Sequence, residues 1–128
     1  MLSIKVPPEI EPYYRAWQQE DLDALAACFT EDVELRANTH PDPIRGRGGL
    51  RAYHVDLLPS VLETRILRHR FISMPGSTAV STEMTVRLPD RGLGRYLVTS
   101  IMVFEFNAEG LISRLLVFVD REGIVPMD

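Results

Sequence analysis

The chain has one cysteine, Cys28, and three histidines that lie well apart, so it offers no disulfide framework and no thiolate cluster, and a metal site is not expected. Basic residues are no more plentiful: 14 Lys and Arg stand against 18 Asp and Glu, a net charge of −4. Without an excess of cations to neutralise phosphates, nucleic acid is not an expected partner. No apolar run approaches the ~20 residues that span a bilayer. Met1-Leu2-Ser3-Ile4-Lys5 lacks the apolar centre of a secretion signal. A soluble, cytoplasmic protein with no membrane partner is therefore expected. What the sequence does hold is ordinary globular composition, 45% apolar and 25% charged over 128 residues, enough for one core in a single domain over 1–128. No cofactor is called for, and any chemistry must come from common side chains.

Hydrophobic periodicity divides the chain into a helical third and a strand-rich remainder. Ile10, Tyr13, Tyr14 and Trp17 follow helical spacing after Pro7-Pro8. Asp21 can cap a second helix with the stripe Leu22, Leu25, Ala26 and Phe29. Val33 to Asn38 reads as a short strand, and the Pro- and Gly-rich stretch from His40 to Gly49 reads as a loop. Leu50, Tyr53, His54, Leu57, Leu58 and Val61 form the stripe of a third helix that Pro59 should end or kink. Four strands follow, near 63–73, 78–88, 95–106 and 111–121, with turn signals at Pro75-Gly76, Pro89-Asp90-Arg91-Gly92 and Asn107-Ala108-Glu109-Gly110. Helices first and an antiparallel meander second predict an α+β domain with three N-terminal helices on one face of a curved, mainly antiparallel sheet.

Leu97 to Phe104 and Leu115 to Val119 are apolar on both faces, whereas antiparallel sheets commonly leave one face to water. Three helices cover one face only. A second copy of the same sheet is the economical cover for the other, which predicts a homodimer through the outer sheet face.

The order of these elements, with Ala16-Trp17, Asp21-Leu22-Asp23-Ala24-Leu25, Phe29-Thr30-Glu31-Asp32-Val33, Gly46-Arg47 and Val103-Phe104-Glu105-Phe106-Asn107 before Gly110, resembles the nuclear transport factor two superfamily over nearly the whole chain. The resemblance implies a cone-shaped, cystatin-like α+β roll with a mostly apolar pocket suited to a ring-containing or polyketide-like ligand. Its members include SnoaL-like polyketide cyclases, ketosteroid isomerases, limonene epoxide hydrolases and proteins that only bind or associate.

On the isomerase pattern, the tyrosine that donates to the substrate oxygen falls at Tyr13, while the base falls at Ala37 and the protonated aspartate at Met102, so the carboxylate route is missing. On the epoxide hydrolase pattern, Asn38 takes the place of the water-positioning asparagine, Arg36 that of its tyrosine partner, and Thr82, Met84 and Val117 fall at or near the ionic positions. His54 replaces a tyrosine that in the isomerases bonds the helix-one tyrosine, which implies a Tyr13–His54 pair able to move a proton near neutral pH. Asn38 is expected to orient substrate, although one bulge decides whether it or Ala37 faces inward. Arg36, on the same face as Asn38, is a candidate to bind a carboxylate or enolate oxygen. By alternation Tyr96, Val98, Ser100 and Met102 share one face, with Thr82 and Met84 on the neighbouring strand; Trp17 and Val117 complete the expected substrate lining. The function these residues point to is a polyketide-type cyclase or isomerase working by proton transfer or substrate preorganisation. The alternatives are a noncatalytic ligand-binding or dimerisation protein of the same fold, and an epoxide-opening hydrolase or cyclase with rearranged acids.

Overall fold

The computed structural model describes residues 5–88 and 94–127, with 60–63 described only as part of a helix. The predicted turn at Pro89–Gly92 lies outside the described residues, and so does the side chain of Val61. A 3₁₀ turn, Pro8–Ile10, leads into α1 (Glu11–Gln18), α2 (Leu22–Ala26), β1 (Phe29–Ala37), β2 (Ile44–Arg45) and α3 (Gly46–Glu63). Strands β3 (Arg65–Met74), β4 (Ser77–Arg87), β5 (Arg95–Phe106), β6 (Ile112–Val119) and β7 (Val125–Met127) complete the chain. The sheet is mixed, in the order β2-β1-β6-β5-β4-β3, with β7 paired to β5. β3 to β6 form the antiparallel meander, and β1 joins β6 in parallel.

Local chemistry sets the boundaries. Asp21 Oδ1 accepts the Ala24 amide at 3.0 Å and caps α2. The same residue closes α1, because its amide bonds Ala16 O while the Glu20 amide bonds Trp17 O, a paired C-terminal cap with Glu20 in the left-handed region at φ 54°. The second helix is shorter than its apolar stripe suggests. Phe29 belongs instead to β1, where it pairs with Ile112 and is fully buried, so sheet pairing outweighs helical spacing there. The helical part is thus a 3₁₀ turn, two short helices and one long one. The expected loop before α3 contains β2, and β7 had no counterpart in the strand pattern. Pro59 lies inside α3 and does not end it. It denies the Val55 carbonyl one donor, and Val55 is itself exposed, where water can take over.

The concave face of the sheet packs on α1 and α3 around Ile10, Tyr13, Leu25, Phe29, Leu35, Leu50, Phe104 and Leu115. Glu9 ties the 3₁₀ turn to the meander by accepting from the Ser73 and Thr78 hydroxyls, both at 2.6 Å; these bonds, Ser73 first, hold its carboxyl below the usual range. The convex face is different. Two successive rows, Ile72–Ala79–Val103–Leu116 and Arg70–Ser81–Ile101–Phe118, cross four strands, and Ile72, Met74, Ile101 and Phe118 remain 46–63% exposed.

Candidate active site

The interior end of α1 brings Tyr13 beneath α3. Its hydroxyl lies 3.1 Å from His54 Nε2, and both residues are buried, at 4% and 0% exposure. The other ring nitrogen, Nδ1, is 2.8 Å from the Leu50 carbonyl one turn back on α3. A carbonyl only accepts, so Nδ1 carries the proton, Nε2 presents its lone pair, and Tyr13 donates to it. Aromatic rings surround the pair. Tyr14, Trp17, Phe29 and Phe104 approach Tyr13 edge-on at 5.1–6.3 Å between centroids, and Trp17, Phe29 and Tyr53 approach His54 at 5.2–6.0 Å.

That enclosure fixes the charge state. Burial lowers the His54 pKa to about 4, against a smaller opposing effect of its bond to Leu50, so the imidazole is neutral at pH 7. Burial raises the Tyr13 phenol well above its ordinary value, and a bond from Trp17 offsets this only in part. The pair is therefore neutral in both members: a phenol donating to an imidazole base.

The remaining sequence candidates separate by face. Thr82, Val98 and Ser100 are buried on the concave wall, where Met84, Tyr96, Met102 and Val117 are half-buried; Trp17, on α1, is half-buried as well. The register places Thr82 opposite Ser100, Met84 opposite Val98, Val86 opposite Tyr96 and Met102 opposite Val117. Asn38 and Arg36 lie elsewhere. Ala37 is the residue that turns inward, 6% exposed and paired with Val117, whereas Asn38 is exposed. The Asn38 carboxamide bonds the Val119 backbone at both ends, donating to its carbonyl at 2.7 Å and accepting from its amide at 2.9 Å, and so prolongs the β1–β6 pairing. Arg36 faces outward with Glu34, at 3.1 Å, in a surface cluster that Arg45 and Arg114 share. The physical reason is strand parity: Phe29, Val33, Leu35 and Ala37 are the buried alternate set of β1, which leaves Arg36 and Asn38 on the opposite side.

One residue escaped sequence reasoning. His69 on β3 faces inward beside Phe71, its Nδ1 3.1 Å from Thr82 Oγ1 and its ring stacked on Phe71 at 5.5 Å. Its spacing two residues before Phe71 is the signal that could have found it, although the bulge between Ile66 and Arg68 blurs the alternation. An open pocket of about 410 Å³ lies at a different place, lined by Glu9, Met74, Thr78, Phe106, Asn107 and Gly110, away from the Tyr13–His54 pair. Among the described residues no group of three or more His, Cys, Asp or Glu is placed to hold a metal ion.

Known proteins share this architecture. The chain is 27% identical to a steroid Delta-isomerase of Nocardioides simplex over 117 residues, 91% of each chain. Its fold resembles that of SalBIII, an epoxide hydrolase/cyclase-like enzyme in pyran ring formation in the polyether salinomycin, with a TM-score of 0.75, 23% identity and 93% of both chains covered. A Mycobacterium tuberculosis protein solved in complex with estradiol-17β-hemisuccinate has a TM-score of 0.68 at 17% identity, covering 91% of this chain and 95% of its own. At such identities the solved structures speak for the fold alone. Residues 10–115 match the SnoaL-like domain, and the chain belongs to that family.

Proposed function

We propose that the protein is a small-molecule enzyme of the cyclase or isomerase kind, which binds an apolar, ring-containing molecule against the concave sheet and shifts one proton through Tyr13 and His54. The observation that carries this reading is the 3.1 Å bond from the Tyr13 hydroxyl to a neutral His54 whose other nitrogen is fixed on Leu50. In the proposed step, Tyr13 Oη takes a proton from the ligand while its own proton passes to Nε2. Reversal returns a proton at another position, which moves a double bond or closes a ring. Parking the proton on an imidazole of pKa about 4 costs about 4 kcal/mol at pH 7. The cost of removing the proton from the ligand's carbon adds to this. A phenolate is never required, in keeping with the burial that disfavours it. Trp17, Met84, Met102 and Val117 supply apolar contact, and their partial exposure marks the side from which a ligand would enter.

The test is kinetic. The unconjugated Δ5 isomer of androstenedione is a suitable probe, and its conversion to the conjugated ketone is read by ultraviolet absorbance. Tyr13→Phe and His54→Gln should each lower kcat at least tenfold, about 1.4 kcal/mol of barrier, while steroid affinity stays within about twofold. Binding of the steroid by the intact protein without turnover would instead favour a noncatalytic binding protein of the same fold. That second reading has its own support, because His54 has both nitrogens, and Tyr13 its hydroxyl proton, already engaged within the protein.

We also propose that a second copy of the chain covers the convex face. The centre of that face, Ile72, Ala79, Ile101, Val103, Leu116 and Phe118, is uncharged. Its flanks carry both signs as Arg68–Glu83 and Arg114–Glu105, a distribution that a two-fold axis can match to itself.

A further inference from the structure

Rows of directly opposed residues cross the concave wall, and one of them is out of keeping with its neighbours. Phe71–Val80–Met102–Val117 is apolar, and the row of Ile66, Met84 and Val98 is apolar as well. Between them runs His69–Thr82–Ser100, polar on three consecutive strands. Thr82 and Ser100 are 7% and 6% exposed, and polar groups set into an apolar wall are costly unless they are paired. The pairing within the row is incomplete. Thr82 Oγ1 engages His69 Nδ1 at 3.1 Å, yet His69 Nε2 is buried with no hydrogen-bond partner, and Ser100, directly opposite Thr82, is the third polar group of the row.

We infer that this row is a hydrogen-bond donor line, ending in the Ser100 hydroxyl, that recognises an acceptor oxygen at the far end of the ligand. The direction of the line follows from His69. With the proton on Nδ1, no N–H is stranded at the buried Nε2, and His69 donates to Thr82. The Thr82 proton is then free to turn to Ser100 directly across the ladder, where opposed Cβ atoms lie ~4.5–5.5 Å apart. The Ser100 proton is left for the ligand. Burial lowers the His69 pKa, which keeps the ring neutral as this arrangement requires. His69 and Thr82 act as positioning residues, and Ser100 makes the contact.

The spacing sets the ligand's shape. The Tyr13 ring packs 5.1 Å from Phe104, and Ser100 lies four residues away on the same strand. At ~3.3 Å per residue Ser100 lies about 13 Å along the strand from Phe104, the residue against which the Tyr13 ring packs. A rigid fused-ring ketone meets both stations, its reacting carbon at Tyr13 and a carbonyl at Ser100. This inference rests on the ring-binding reading of the same space.

The experiment compares two steroids, androstenedione, with a ketone at each end, and its analogue lacking the D-ring oxygen. Binding is followed by the fluorescence of Trp17, the one tryptophan of the chain. The intact protein should bind the diketone about tenfold more tightly than the analogue. Ser100→Ala and Thr82→Val should each erase that preference with affinity for the analogue unchanged, and Ser100→Thr should retain it. Equal binding of the two steroids by the intact protein, or a preference that survives in Ser100→Ala, overturns the donor line while the ring-binding reading stands. Failure of both steroids to bind the intact protein removes that reading and the donor line with it. Thermal unfolding of each variant separates a lost contact from a lost fold, and Thr82→Val tests the line independently should Ser100→Ala unfold.

Discussion

Acidification should unfold this protein through His54 in a calculable way. The folded state holds the imidazole at a pKa of about 4, below its ordinary value near 6.5, because the ring is wholly buried. Between those values the unfolded chain binds the proton and the folded chain does not. The stability that His54 contributes is therefore fully present above pH 6.5 and is lost as pH falls towards 4. Relative to pH 7.5, the loss is about 2 kcal/mol at pH 5 and about 3 kcal/mol at pH 4. Urea unfolding of the wild type and of His54→Gln at several values between pH 7.5 and pH 4.5 isolates this contribution, since carboxylates and His69 act alike in both proteins. The wild-type curve should fall more steeply by the stated amount, so that the gap between the two proteins narrows on acidification. Parallel curves would show that His54 is not held as a neutral base, and the proton route from Tyr13 would lose its acceptor.

Other consequences follow from particular contacts. Ile101→Glu places a charge at the centre of the convex face, 46% exposed in the single chain, and sedimentation should show soluble monomer or aggregate where the wild type sediments as a dimer; an unchanged profile would remove the second copy. Glu20→Gly relieves the left-handed backbone at φ 54° and should raise stability by up to about 1 kcal/mol in urea unfolding. Asn38→Ala removes both bonds to the Val119 backbone and should cost about 1–2 kcal/mol of stability with kcat within about twofold; a kcat loss of tenfold or more in a folded variant would restore Asn38 to the chemistry.

The fold was legible where one pattern dominated. The four meander strands lie within a few residues of their expected positions because Pro75-Gly76 and Asn107 to Gly110 are turn chemistry, with Gly76 and Gly110 both at positive φ. His54 was legible from helical spacing alone, and the long helix carries it inward as that spacing requires. Legibility failed where a tertiary choice overrode a local one. Phe29 completes a helical stripe, yet it is used by the sheet. Asn38 and Arg36 are a different case: they were candidates for the ligand side with the choice between Ala37 and Asn38 left open, although the apolar alternation of Val33, Leu35 and Ala37 already turns both outward. His69 sits beyond a bulge that shifts its alternation, and its bond to Thr82 depends on a β3–β4 register that exists only in the folded sheet.

Long-range proton–nitrogen correlation of the histidine rings, recorded at pH 7 with and without saturating androstenedione, puts the Tyr13–His54 pair to its most direct trial. The free protein should show a neutral His54 protonated at Nδ1, and the steroid should shift Nε2 markedly as its reacting carbon seats against Tyr13 Oη and perturbs the bond from that hydroxyl to the imidazole. An Nε2 resonance that stays in place while the steroid is bound would make the pair a structural bond of the core, with the chemistry of the protein to be sought elsewhere.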